Sequence, residues 1–252
     1  MFLEPAWKID KHQIEREWND IALTRLKQIQ SGQDISYKYV LSPLILNLLR
    51  ECDLSKVVDL GCGTGTLTAM IAKNADYIVG VDISHNNIEL ARQHSTGIAN
   101  LNFVNIEIEK FTSLVSEATF TTAVAGMTLM TVLQLDEVLQ TINSILKPKG
   151  HFIFTITHPC YWPIYWGYYK EKWYNYQKEI PIKADFRISL NQVDGCITTH
   201  IHRPLGMYFN SLAKAGFHIV KIVEPFPSSN IEKLYPNKWE FPRFLGVHCV
   251  LK

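Results

Sequence analysis

The stretch Val57-Val58-Asp59-Leu60-Gly61-Cys62-Gly63-Thr64-Gly65 decides how this chain reads. A short β-branched apolar run ends in an acid and then in three glycines at alternate positions, and Thr66 to Lys73 follows with helical character. A strand, a glycine turn and a helix in that order bring bare backbone and a helix N-terminus close to a bound ligand. A dinucleotide fingerprint would space its glycines G-x-G-x-x-G, so that a pyrophosphate sits on the helix. Here one residue separates Gly61 from Gly63 and Gly63 from Gly65, and Asp59 precedes them. A carboxylate at that place repels an anion and suits a cationic amino group.

Outward from the turn, strands and helices alternate. Tyr77 to Val81 is a second strand stopped by Asp82, and Ser84 is placed to cap a helix reaching Gln93. Leu101–Val104, Phe120–Ala125 and His151–Thr157 are further strands, with a helix over Asp136–Leu146. Such alternation predicts a doubly wound α/β fold, a mostly parallel sheet with helices on both faces. Upstream, Trp18, Ile21, Ala22, Leu26 and Ile29 recur at helical spacing and Pro43 opens a second helix, so residues 1–50 read as a helical cap. Residues 51–157 form the core of the single domain, 158–205 an aromatic insertion and hairpin, and 206–252 a last helix and two strands, Phe217–Val223 and Leu245–Leu251. The hairpin pairs Ile182–Leu190 with Cys196–His202 around a loop at Asn191–Gly195.

Composition narrows the function classes. With 25 Lys plus Arg against 24 Asp plus Glu, the chain lacks the basic excess that phosphate neutralisation requires, which argues against nucleic acid as a partner. The 5 cysteines are scattered without C-x-x-C spacing, as expected of free thiols in a reducing, cytoplasmic setting. No secretory leader and no apolar run long enough for a membrane span is visible. Cys160, Cys196, His158, His200 and His202 show no metal-ligand spacing, so no metal is expected. Oligomeric state is left at monomer or homodimer.

The run V-V-D-L-G-C-G-T-G-T-L-T resembles the first motif of class I S-adenosylmethionine-dependent methyltransferases, of the small-molecule type. The resemblance extends over Trp18 to Lys252 and implies that family's seven-stranded sheet, with S-adenosylmethionine as cofactor. It places the cofactor's methionine part at Asp59, Gly61, Cys62, Gly63 and Gly65, and its ribose at Asp82, next to Ile83. Two adjacent hydroxyls suit one acceptor-only carboxylate. For the adenine it implies Glu107 and Ile108, where the family often carries Asp, and it adds Gly126 at the end of the fourth core strand. The family's frequent Phe-Asp before that strand is Phe120-Thr121 here.

Ligand crevices of open α/β sheets lie at the carboxyl ends of the strands. Met127 and the aromatic insertion residues Tyr161, Trp162, Tyr165 and Tyr168 are therefore expected to meet the methyl acceptor. His158, at the end of a core strand, and His202 are the candidate general bases, because imidazole titrates near neutrality. His200 shares a strand face with His202 and is expected on the substrate side. The expected reaction is N- or O-methylation of a small metabolite, with the rings enclosing an aromatic, heterocyclic or cationic acceptor. Rival readings are a cofactor-binding partner without chemistry, an RNA methyltransferase and, least compatible with the glycine spacing, a dehydrogenase.

Overall fold

The computed structural model describes residues 2–190 and 192–252, with side chains from Cys196 onward in the second range. The chain opens with a short strand, β1 (Leu3–Pro5), then the long helix α1 (Lys11–Gln30), a π-turn at Tyr37–Leu41 and α2 (Ser42–Leu48). The alternating segment follows as β2 (Val57–Leu60), α3 (Thr66–Ala72), β3 (Ile78–Asp82), α4 (His85–His94), β4 (Leu101–Asn105), β5 (Phe120–Gly126), α5 (Leu135–Ile145) and β6 (Leu146–Thr157). After β6 come α6 (Trp162–Trp166), the hairpin β7 (Ile180–Arg187) and β8 (Gln192–His202), α7 (Leu205–Lys214), β9 (Phe217–Val223), α8 (Ser229–Glu232) and β10 (Phe244–Leu251). Ser84 caps α4 as its position suggests, its hydroxyl accepting from the Asn87 N–H at 3.1 Å.

Seven strands form the central sheet in the order β4-β3-β2-β5-β6-β10-β9. β10 runs antiparallel to both its neighbours and the other pairs are parallel. The period of two along each strand divides the apolar residues between the faces. Val57, Ile78, Val124 and Ile153 pack with Ile45 and Leu48 of α2 and Leu67 and Ile71 of α3. Val58, Leu60, Ala123, Phe152 and Phe154 pack on the opposite face with Val138 and Ile142 of α5 and Leu212 of α7. Each such side chain taken fully out of water contributes about 1.5–3 kcal/mol, so both faces must be covered. This is the doubly wound, mostly parallel seven-stranded fold.

A second, antiparallel sheet, ordered β1-β7-β8, stands apart from the first. It departs from the sequence reading at two places. The first residues are not wholly helical, because Leu3–Pro5 finds pairing partners on the free edge of β7. β8 already begins at Gln192, inside the stretch expected as the loop, since a bulge between Asp185 and Arg187 lets Arg187 pair with Gln192. Asn191 of that loop lies outside the described residues. In the central sheet, the strand expected at His151–Thr157 begins earlier, at Leu146.

Helix α1 is fastened to this second sheet. The Thr199 N–H and hydroxyl both donate to the buried Glu17 carboxylate, at 2.8 and 3.1 Å. Trp18 meets Phe186 edge-on, with ring centroids 6.5 Å apart. Among the described residues no helix is long and apolar enough to cross a membrane.

Candidate functional site

At the carboxyl ends of the central strands lies a cavity of about 340 Å³. Its floor is the turn after β2. Gly61, Gly63 and Gly65 have φ of +71°, +53° and +75°, a region that penalises any side chain. Asp82, buried at the end of β3, braces the turn: its Oδ2 accepts from the Gly63 N–H and its Oδ1 from the Ser84 N–H, both at 2.8 Å. Burial raises the Asp82 carboxyl, and these hydrogen bonds to the charged form oppose the rise. Asp59, 1% exposed, accepts from the Thr68 hydroxyl at 2.7 Å. Burial, only partly offset by that bond, pushes its carboxyl up to about 7. Glu107 is held low, first by its bond from Lys110, and Lys11 of α1 lies 3.5 Å from it and 3.0 Å from Glu109.

Of the residues expected at the cofactor, Asp59, Gly61, Cys62, Gly63, Asp82, Ile83, Glu107, Ile108 and Gly126 border the cavity. Gly65 does not: it is pressed against Phe103 and Ala91, where it lets α4 and β4 approach the turn. On the other side the cavity is bounded by Met127, which itself has φ +59°, by Trp162 and Tyr165 of α6, and by His200 of β8. His200 lies between Trp166 and Tyr168, at 5.3 and 5.8 Å between ring centroids. Among the described residues its Nε2 has no hydrogen-bond partner, and burial drives its pKa down to about 3, so the ring is neutral.

The two candidate bases are placed elsewhere. His158, 2% exposed, is engaged at both nitrogens: Nδ1 accepts from the Cys160 N–H at 3.2 Å, leaving Nε2 to donate to Glu224 at 2.8 Å. It does not border the cavity, and burial lowers its pKa against the pull of Glu224. His202 bonds the Tyr176 carbonyl at 3.1 Å behind β8, because the strand pleat that turns it with His200 carries it one pair further from the opening. Tyr161 stacks on Phe241 at 5.4 Å, and Tyr168, 1% exposed, packs against Trp173 and Tyr174. Both are supports beneath the wall rather than part of it.

Comparison with known proteins fits this geometry. A family model described as a methyltransferase domain matches residues 52–206, more than half of the chain. The chain belongs to the S-adenosylmethionine-dependent class I methyltransferases. A Haemophilus influenzae relative of uncharacterised function is 25% identical over 73% of this chain and 75% of its own. The ubiquinone biosynthesis O-methyltransferase of Pasteurella multocida is 29% identical over 40% of this chain and 45% of its own, so that match spans under half of the relative. The S-adenosylmethionine-dependent methyltransferase of Mesorhizobium loti shares the fold, with a TM-score of 0.61 at 22% identity over 82% of this chain and 96% of that one.

Sequence reasoning missed part of this methyltransferase's cavity wall. Trp18 and Lys11 of α1, Tyr37, Arg187 of β7 and Arg243 just before β10 all border it. Trp18 carried only a packing signal, and nothing local distinguishes Arg243 from a surface arginine. A second group also went unread. Cys52, His151 and His248 lie at the far ends of the strands with their donor atoms within 4.8 Å of one another. His151 Nδ1 and His248 Nε2 share a proton at 2.9 Å, and burial lowers both imidazoles.

Proposed function

We propose that this methyltransferase methylates a nitrogen or oxygen of a small acceptor inside the cavity between the glycine turn and α6. The observation that carries the reading is the continuity of that one cavity, which joins the turn, Asp59 and Asp82 to Trp162, Tyr165 and His200. A passive cofactor binder has no use for an enclosed chamber beyond the turn. A relative named as a ubiquinone biosynthesis O-methyltransferase supports a small acceptor as well.

The residues present suit the cofactor. An added Cβ on Gly63 would meet nothing within 4 Å, so the turn leaves an open cradle on the cavity side. Asp59 would take the amino group and Asp82 the ribose hydroxyls, with Ile83 and Ile108 flanking the adenine and Glu107 beside its edge. The cofactor would supply an electrophilic methyl on a sulfonium, to be taken by the lone pair of the acceptor's nitrogen or oxygen, whose proton would pass to water. The protein's share is alignment and exclusion of water, with Met127 and the α6 rings holding the acceptor. The second sheet, with β1, serves as the cover of a single domain.

With His158 and His202 outside the cavity, transfer relies on proximity rather than on a histidine base. His158→Gln is expected to keep kcat within about threefold, whereas removal of a working general base costs about 10²–10⁴. A hundredfold fall in kcat, with unchanged folding by circular dichroism, would restore His158 as the base.

Asp59 predicts a pH dependence. Its folded pKa of about 7 lies above the ordinary 3.8. The penalty for ionising it in the folded protein is therefore absent below the ordinary value, grows between the two, and is complete above the folded one. A cofactor ammonium reverses that penalty, so the association constant of S-adenosylhomocysteine should rise from pH 5.5 to 7 by up to about tenfold per unit and then level. Calorimetry across that range checks it, and Asp59→Asn should flatten the curve. An unchanged slope in the variant would assign the titration to another group.

The reading as a whole is tested by S-adenosylhomocysteine release with a panel of amines, phenols and carboxylic acids. Turnover on at least one supports it. Turnover on tRNA with none on the panel overturns it.

A further inference from the structure

The cavity wall holds two arginines that form no ion pair among the described residues. Arg243 is 4% exposed, and its Nη2 donates to the backbone carbonyls of Asn237 and Lys238, at 3.2 and 3.3 Å. Its guanidinium lies over the rings of Tyr165 at 4.1 Å and Trp239 at 4.5 Å. Arg187, reaching in from β7, lies over Trp166 at 4.5 Å. Both border the cavity, and among the described residues neither forms an ion pair. Two other arginines contrast directly: half-buried Arg25 pairs with Asp34 at 2.9 Å, and buried Arg203 with Glu179 at 2.7 Å.

Placing a cation out of water without its anion is costly, and faces of aromatic rings offset only part of that. Burial lowers both guanidinium groups from their ordinary value, while Asp185 and Tyr165 act on Arg187, and Tyr165, Tyr235 and Glu232 on Arg243, in the opposite sense. An arginine nonetheless stays charged. The distribution across the sheet is polar. Asp59, Asp82, Glu107 and Glu109 lie on the side of the glycine turn, Asp34 is taken up by Arg25, and Arg187 and Arg243 lie on the side of the hairpin and β10.

From this arrangement we infer that the methyl acceptor carries an oxyanion, a carboxylate or phosphate-type group, held between Arg187 and Arg243 with its body against the α6 rings. The inference rests on the methyl-transfer reading of the same cavity. Guanidinium forks match such oxyanions, and an anion here also offsets the positive charge of the methyl donor. For a cationic amine the site is less suited, since the arginines already lie over the rings of Tyr165 and Trp166 and would repel it.

Four probes of one ring size test it: benzoate, phenyl phosphate, benzamide and benzylamine, titrated calorimetrically into the full-length protein saturated with S-adenosylhomocysteine. Benzoate or phenyl phosphate should bind at least about tenfold more tightly than benzamide, with benzylamine weakest, and the better of the two anions identifies the source. Arg187→Met should remove that preference while S-adenosylhomocysteine affinity stays within about twofold. Arg243→Lys, which keeps the charge but loses the fork, should weaken it less. Equal binding of the four, binding of none, tighter binding of benzylamine, or an anion preference that survives Arg187→Met and Arg243→Lys overturns the inference. Loss of S-adenosylhomocysteine binding by the wild type would instead strike at the methyl-transfer reading itself.

Discussion

Gly61→Ala should lower the melting temperature by roughly 5–15 °C, while Gly63→Ala should lower it by about 2–8 °C and strongly weaken cofactor binding. The two glycines share one turn and a left-handed backbone, with φ of +71° and +53°. A Cβ on Gly61 would stand 2.3 Å from Thr128 Oγ1 and 2.4 Å from its Cγ2. Thr128 cannot step aside freely, because its hydroxyl reaches the Gly61 and Gly126 carbonyls at 3.4 and 3.3 Å and its segment forms part of the cavity wall. Backbone strain of about 1–2 kcal/mol and overpacking of about 1–3 kcal/mol therefore add. At Gly63 only the strain remains, since a Cβ there meets nothing within 4 Å. That free space is the cradle for the ligand, so the new methyl should cut S-adenosylhomocysteine affinity by about 10- to 100-fold. Thermal melts with and without S-adenosylhomocysteine separate the effects: the Gly63 variant alone should melt closer to wild type than the Gly61 variant does, and should gain little from the ligand. A Gly63→Ala protein stabilised by S-adenosylhomocysteine as fully as wild type would mean that the cofactor's methionine part does not lie against this turn.

The contrast between these glycines also explains what the sequence revealed and what it withheld. The cofactor half of the cavity is built locally. Asp59, Gly61 and Gly63 follow one another on a single strand and turn, and Asp82 ends the next strand in the sheet, so spacing along the chain translates into placement. The central strands were legible for the same reason: residues such as Val57 and Val58 alternate between two faces that each have a helical cover. The acceptor half has no such local grammar. Arg243 meets Tyr165 across 78 positions of chain, and Trp18 meets Phe186 only because α1 is stapled to β8 through Glu17 and Thr199. The aromatic insertion was visible as composition, but which rings line the opening and which support them is set by packing. Tyr165 and Trp162 border the cavity, while Tyr161 and Tyr168, from the same run of sequence, do not: Tyr161 stacks on Phe241 and Tyr168 is buried. The two histidines expected as bases differ from their expected place on a similar point. His158 does end a core strand, yet Glu224 and the Cys160 N–H take up both its nitrogens.

Arg203→Met should be the most destabilising single change outside the glycine turn, because it releases the second sheet from the central one. The side chain is 1% exposed, and its guanidinium spans the junction. Nη1 donates to the Leu129 carbonyl at 3.0 Å, Nη2 to those of Val132 and Leu133 at 2.6 and 3.3 Å, and Nε to Glu179 at 2.7 Å. The three carbonyls belong to the segment after β5, and Val132 and Leu133 border the cavity, while Glu179 immediately precedes β7. Methionine fills similar space but leaves those carbonyls without a donor, at roughly 1–3 kcal/mol for each one that water cannot reach. A total of about 3–5 kcal/mol corresponds to a fall of roughly 6–20 °C in a domain of this size. The ion pair is the lesser part, because Glu179 is 38% exposed. Glu179→Gln should accordingly cost no more than about 1 kcal/mol. Arg203→Lys should fall between the two, since a single ammonium cannot serve carbonyls on both sides of the fork. Below the melting transition, the lysine variant should still bind S-adenosylhomocysteine within about threefold of wild type but lose KM for the acceptor, because the β5 segment and the hairpin bound the acceptor side and not the turn. Equal stability losses for Glu179→Gln and Arg203→Met would show instead that the ion pair, and not the backbone carbonyls, fastens the two sheets together.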